Sequence, residues 1–168
     1  MTPAEALSPE MALAAGKLRE RQEPFAFATI VRTVGATAAK PGAKALLAKD
    51  GTILRGFLGG GCTQGAVRKA ALEAIETGAP QLVSVRPEEA LDADGLEAGA
   101  LEDGVRLARN GCPSKGTIDI FVEPCLPQPE LVIMGTSPVA EALAASAPGF
   151  DWQVSRDETS QQRRTKVG

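Results

Sequence analysis

Apolar positions recur along this chain with two periods, and the switches between them mark its elements. Met11, Ala14, Ala15 and Leu18 fall at i, i+3, i+4 and i+7. They follow Ser8-Pro9-Glu10, in which serine caps, proline takes the first helical position and glutamate meets the positive end of the helix dipole. A helix over about 9–22 is predicted. Residues 24–34 (PFAFATIVRTV) are β-branched and aromatic without helical punctuation, and predict a buried strand. A loop over 35–42 precedes apolar runs at 43–48 and 52–57, which flank Asp50-Gly51 and predict a hairpin. Over 63–77, Ala66, Val67, Ala70, Ala71, Ala74 and Ile75 share one helical face, with Arg68, Lys69, Glu73 and Glu76 elsewhere. Gly78 suits the left-handed position after a helix, and Pro80 blocks continuation.

Residues 81–85 predict a short strand, and 117–122 (TIDIFV) alternate as a half-buried one does. Between them, 86–106 carry Glu88, Glu89, Asp92, Asp94, Glu97, Glu102 and Asp103 with no firm period. A solvated acidic loop or a short exposed helix is predicted there. Pro124, Pro127 and Pro129 make 124–130 an extended linker. It separates a main unit, 1–123, from a remainder, 131–158, that reads as strand, glycine turn, helix and a second strand near 152–155. Ser160 to Gly168 read as a polar, disordered tail in a terminal segment 159–168. The fold class is α/β, a mixed-sheet main domain with flanking helices plus a short, incomplete β-α-β segment.

Composition narrows the chemistry. The 18 Lys and Arg are outnumbered by 21 Asp and Glu, for a net charge of -3, so sequence-independent attraction to nucleic acid is not expected. The chain has no histidine and no tyrosine. Ser-His-Asp and Cys-His pairs and histidine metal ligands are thereby removed, leaving carboxylates, lysines and cysteines for proton transfer. Cys62, Cys112 and Cys125 are widely spaced, which is neither a disulfide framework nor a zinc knuckle. No stretch reaches the roughly 18–20 apolar residues of a membrane span. The N-terminus, with Glu5 and Glu10, does not read as a signal peptide. A cytoplasmic protein is expected.

The candidate site is Gly59-Gly60-Gly61-Cys62-Thr63-Gln64, where adjacent glycines run into a helix start. Glycines give up much backbone entropy and are kept where the chain turns sharply or approaches another group. Helix N-terminal N–H groups favour anions, and a thiol placed among them is biased toward thiolate. Locally the stretch reads equally as an anion site or as a tight turn with a small buried thiol.

Several blocks together resemble the XdhC/CoxI family of molybdoenzyme maturation factors. They are Ala28 to Gly35, Lys40-Pro41-Gly42-Ala43-Lys44, Asp50-Gly51-Thr52, Gly56 with Leu58 to Cys62, and Gly116 to Pro124. Pro129 to Gly135 resembles the join to that family's Rossmann-like second domain. The resemblance implies a protein that carries the molybdenum cofactor, as molybdopterin or its dinucleotide form. Such a protein protects the cofactor, assists its sulfuration and delivers it to a molybdenum hydroxylase, without turnover of its own. It implies cofactor binding by Gly59, Gly60, Gly61, Cys62, Thr63 and Gln64, with Cys112 as the second cysteine. Arg32 and Lys44, which flank the loop over 35–42, are candidate partners for an anionic cofactor. Cys62 is then the candidate molybdenum contact, and a cysteine desulfurase and a second copy of the chain are candidate partners. The chain departs from the family in having Gln64 where many members have Glu, and Cys112-Pro-Ser in place of Cys-Gly-Gly. It also stops 33 residues after Gly135, short of several βα units.

Two other functions fit the residues. One is a thiol-dependent redox enzyme using Cys62 and Cys112. The other is a nucleotide-binding regulatory subunit at Gly135, Ser137 and Ala140, where serine stands in place of the fingerprint's second glycine and Asp157 follows at a ribose-contact spacing.

Overall fold

The structure is a computed structural model that describes residues 7–38, 40–111 and 115–157. The chain divides into two compact units, Met1–Leu126 and Pro127–Gly168. In the first, the helices are α1 (Pro9–Glu20), α2 (Gly61–Thr77) and α3 (Glu88–Ala93). The strands are β1 (Phe25–Val34), β2 (Lys44–Ala48), β3 (Ile53–Gly56), β4 (Gln81–Pro87), β5 (Leu101–Glu102), β6 (Val105–Asn110) and β7 (Thr117–Cys125). They form one seven-stranded sheet in the order β3-β2-β1-β7-β4-β6-β5. Only the β4–β6 pair is parallel, so the sheet is mixed as read from the sequence.

Strand alternation assigns the two faces. Ala26, Ala28, Ile30, Val83, Val85, Ile118, Ile120 and Val122 form a fully buried cluster with Val67, Ala70, Ala71 and Ala74 of α2. The alanines let α2 lie close on the sheet, while each buried Ile or Val contributes roughly 1.5–3 kcal/mol over exposure. On the opposite face Met11, Ala15 and Leu18 of α1 pack against Phe25 and Leu46. In β2, Ala45 and Leu47 turn to α2 and Leu46 to α1, a period of two read directly from burial.

One irregularity changes which side chains meet. In the β1–β7 ladder Ile30 faces Ile120, but the next pair is Arg32 with Asp119, so Val31 is an extra residue in a β-bulge. Strict alternation would have turned Arg32 toward α2. The bulge puts it on the other face, with Asp119.

Helix and strand limits move by a few residues from the sequence reading. α1 ends at Glu20, and α2 starts at Gly61. Within 86–106 the short exposed helix is α3, but the ends of the segment need correction, because β4 runs on to Pro87 and Val105 begins β6, which pairs parallel to β4. Arg106 and Arg109 disguise it, and each has a helix carboxylate to pair with: Glu73 of α2 and Glu88 of α3. The linker is shorter than 124–130. Pro124 and Cys125 lie within β7 opposite Ala26 and Phe25, and Glu130 already opens the next strand. Pro124 is tolerated because the β4 ladder ends at Val122, leaving that side of β7 without a neighbour requiring its N–H.

The second unit holds β8 (Glu130–Met134), α4 (Pro138–Ser146), a 3-10 turn (Ala147–Phe150) and β9 (Gln153–Asp157). β8 and β9 pair in parallel, Glu130 with Gln153 through Met134 with Asp157, giving the expected β-α-β segment. The tail predicted from Ser160 lies outside the described residues. Among those described, no helix is long and apolar enough to cross a membrane.

Candidate functional site

Gly59 takes φ of +117°, a conformation that side chains rarely adopt, and a Cβ there would lie 3.3 Å from Thr63 Oγ1. Leu58 before it is fully buried, so the turn hangs from the core at one end and from buried Thr63 at the other. Gly60 is the N-cap of α2 in ordinary extended backbone (φ -75°, ψ -174°), and no side chain caps this helix. No acidic residue lies in its first turn. The leading N–H groups therefore keep their capacity to bind an anion. Gln64 turns back on the loop: its N–H donates to the Gly60 carbonyl at 3.1 Å, and its side-chain Nε2 to that of Gly59 at 3.2 Å.

From this start an open groove of about 480 Å³ runs between α2 and the β2–β3 hairpin turn. Gly61, Gln64, Gly65 and Arg68 form one helical stripe along it, facing Gly51, Thr52 and Ile53. Side chains at Gly61 or Gly65 would meet nothing within 4 Å, so the helix backbone itself is accessible there. Arg68 supplies the groove's cation and is held in place by donating from Nε to the Asp50 carbonyl at 3.2 Å. The Thr52 backbone N–H and hydroxyl hold the Asp50 carboxyl below the usual carboxylate range, with a smaller contribution from Arg68. Arg68 was assigned by sequence only to a polar helix face. Its role at the groove depends on where the hairpin turn lies, and no local motif reports that.

Cys62 is half-buried beside Gly111, where a side chain would come within 3.5 Å of its Sγ. Cys112, the candidate second cysteine, lies outside the described residues. Asn110 secures the described part of the same loop by donating from Nδ2 to the Gly116 carbonyl at 2.6 Å.

Arg32 and Lys44 are not gathered at the glycine turn. Both lie on the sheet face opposite α2. Lys44 donates to Thr29 Oγ1 at 2.8 Å, and Arg32 Nε binds the Asp119 carboxylate. Asp119 also accepts from Ser84 Oγ at 2.6 Å, and Ser84 accepts from Arg86 at 3.0 Å. Asp119 and Ser84 are buried, so this chain ties β1, β7 and β4 together on their polar side.

In the second unit, Gly135 (φ +96°) ends β8, and Ser137 caps α4 by accepting from the Ala140 N–H at 3.2 Å. The three residues named for nucleotide binding therefore meet at one turn, but the serine already occupies a donor that a phosphate would use. Among the described residues no cluster of three or more His, Cys, Asp or Glu could hold a metal ion.

Residues 18–86 match the model of the XdhC and CoxI family, a span that includes the glycine turn and every residue lining its groove. This bears out the resemblance read from the sequence blocks. The chain is similar to the crystal structure of a xanthine dehydrogenase from Bacillus halodurans at 26% identity and a TM-score of 0.46. The match covers 67% of this chain, which spans only 29% of that one. No curated protein matches the sequence.

Proposed function

We propose that this protein is an accessory factor for a molybdenum-containing enzyme, holding the molybdenum cofactor at the open start of α2 and passing it to a molybdenum hydroxylase. The observation that carries the reading is the uncapped, acid-free N-terminus of α2, opening onto a groove that ends at a cation. Those residues fit the group. Backbone N–H donors from Gly61 onward suit a terminal phosphate, bare helix at Gly61 and Gly65 gives a flat ligand access, and Arg68 balances charge. When bound, the cofactor would bring a metal centre whose soft sulfur ligands suit a thiol neighbour. Cys62 lies beside Gly111 and does not line the groove, so it would meet the centre only at the helix start, where it is the chain's own thiol for that contact and for steadying the centre during sulfuration by a cysteine desulfurase. A carrier of this kind needs no acid–base machinery, in keeping with a chain that lacks histidine.

The test is the material bound to protein purified from molybdenum-replete cells, by metal analysis and by mass spectrometry for the pterin. Molybdenum and pterin are expected together, reduced by Gly60→Leu, by Cys62→Ala and by Arg68→Gln. Gly60 is in a conformation open to any residue, so its replacement tests space at the turn rather than backbone strain. Pterin retention no greater than that of an unrelated protein sinks the reading.

The nearness of Gly111 to Cys62, such that a Cβ on Gly111 would lie 3.5 Å from Sγ, favours a second reading, because Gly111 is the residue that precedes Cys112. In this reading the two thiols form a disulfide, giving up two protons and two electrons to a peroxide, which is reduced to water. Reversible loss of both free thiols under mild peroxide, blocked by Cys62→Ala, is the expected sign.

A further inference from the structure

The acidic segment after β4 has no part in the cofactor reading, yet it forms the wall of a second groove. That groove, about 570 Å³, lies between α3, the turn that follows it and Arg109 of β6. Leu91, which is 3% exposed, and half-buried Leu96 give it an apolar floor, and the Leu96 N–H donates to the Leu91 carbonyl at 2.9 Å. Glu88, Asp92 and Glu97 stand around that floor, all exposed.

Pairing within the segment is selective. Glu89 is matched by Lys115, Asp94 by Arg86 and Glu88 by Arg109. Asp92 and Glu97 have no cationic partner among the described residues, and both line the groove. The Glu88–Arg109 pair at the rim is more than half exposed on both sides, so an incoming cation can compete for it at little cost. The carboxylates do not converge as metal ligands do. Separated negative charges around a leucine floor complement separated positive charges carried on an aliphatic backing, which a lysine- or arginine-bearing peptide segment provides.

We propose that this groove is a docking site for a basic segment of a partner protein, with an aliphatic side chain on Leu96, over buried Leu91, and flanking lysine or arginine at Asp92 and Glu97. The inference is independent of the cofactor reading and stands or falls by itself. It is tested on the full chain with an acetylated, amidated Lys-Leu-Arg-Leu-Lys peptide, followed by backbone amide NMR shifts. Shifts confined to residues 88–98 and Arg109 are expected. The double change Asp92→Asn with Glu97→Gln should weaken binding about tenfold, as two exposed ion pairs allow. Both side chains are exposed and unpaired, so this variant keeps the fold, and unchanged amide spectra elsewhere check that it does. Leu96→Ser should weaken binding further. Equal weakening by Glu102→Gln with Asp103→Asn, outside the groove, would overturn the proposal. So would equal affinity for a Lys-Gly-Arg-Gly-Lys peptide or for spermine, or the lack of localised shifts.

Discussion

This chain makes the same local structure twice, a strand that ends in glycine and turns into a helix, and completes it in opposite ways. After β8, Gly135 leads to Ser137, whose side chain accepts an α4 backbone N–H, with Pro138 in the first turn and Glu141 near the positive end of the dipole. After β3, Gly59 leads to Gly60, which has no side chain to offer, and no acid follows in the first turn of α2. The first turn satisfies itself; the second leaves its donors for something else. A glycine turn into a helix is therefore not informative alone, and the capping residue distinguishes a closed helix start from one available to a ligand.

The largest effect expected on this contrast comes from Gly59→Val. It forces a β-branched residue into a left-handed conformation already in contact with Thr63, at roughly 1–3 kcal/mol. Urea unfolding should show that loss together with loss of bound pterin, whereas Gly135→Ala, strained but with nothing within 4 Å, should cost less and leave pterin unchanged. Exchanging the caps should break the contrast itself. Ser137→Ala removes about 1 kcal/mol of helix capping without altering cofactor content, and Gly60→Ser adds a few tenths of a kcal/mol while lowering that content. A Gly60→Ser variant that binds as well as the parent would mean that the open N-terminus is not what holds the ligand.

The smallest effect is a control away from both turns. Burial pushes the Cys125 thiol above its ordinary value of 9.0, with Arg19 opposing. The folded protein then keeps a proton that the unfolded chain releases. Stability should fall as pH rises past about 9 and level off above the folded value, and Cys125→Ser should flatten that decline in urea midpoints taken from pH 8 to 10.

The turn at Gly59 to Cys62 could be read from sequence because backbone demand and chemistry coincide in adjacent residues. α2, β1 and the Asp50-Gly51 hairpin were legible for similar reasons, each carrying a clear period or turn pair. β6 was not, since Arg106 and Arg109 hide an alternation that Glu73 and Glu88 make affordable. Arg68 escaped notice at the site because the hairpin turn that gives it a groove is distant in sequence. Arg32 and Lys44 stand out in the sequence because they flank the loop over 35–42, but strand alternation and one extra residue put them on the sheet face opposite α2.

That extra residue has a consequence for how the protein can vary in length. Because Val31 has no counterpart of its own in β7, its deletion would leave Ile30 opposite Ile120 and Arg32 opposite Asp119, with the ladder made regular. A strand in the middle of a sheet is ordinarily where a one-residue deletion is least tolerated, since every later side chain changes face. Here β1 carries a spare position, and the fold can lose a residue from its central ladder while every other side chain keeps its neighbours.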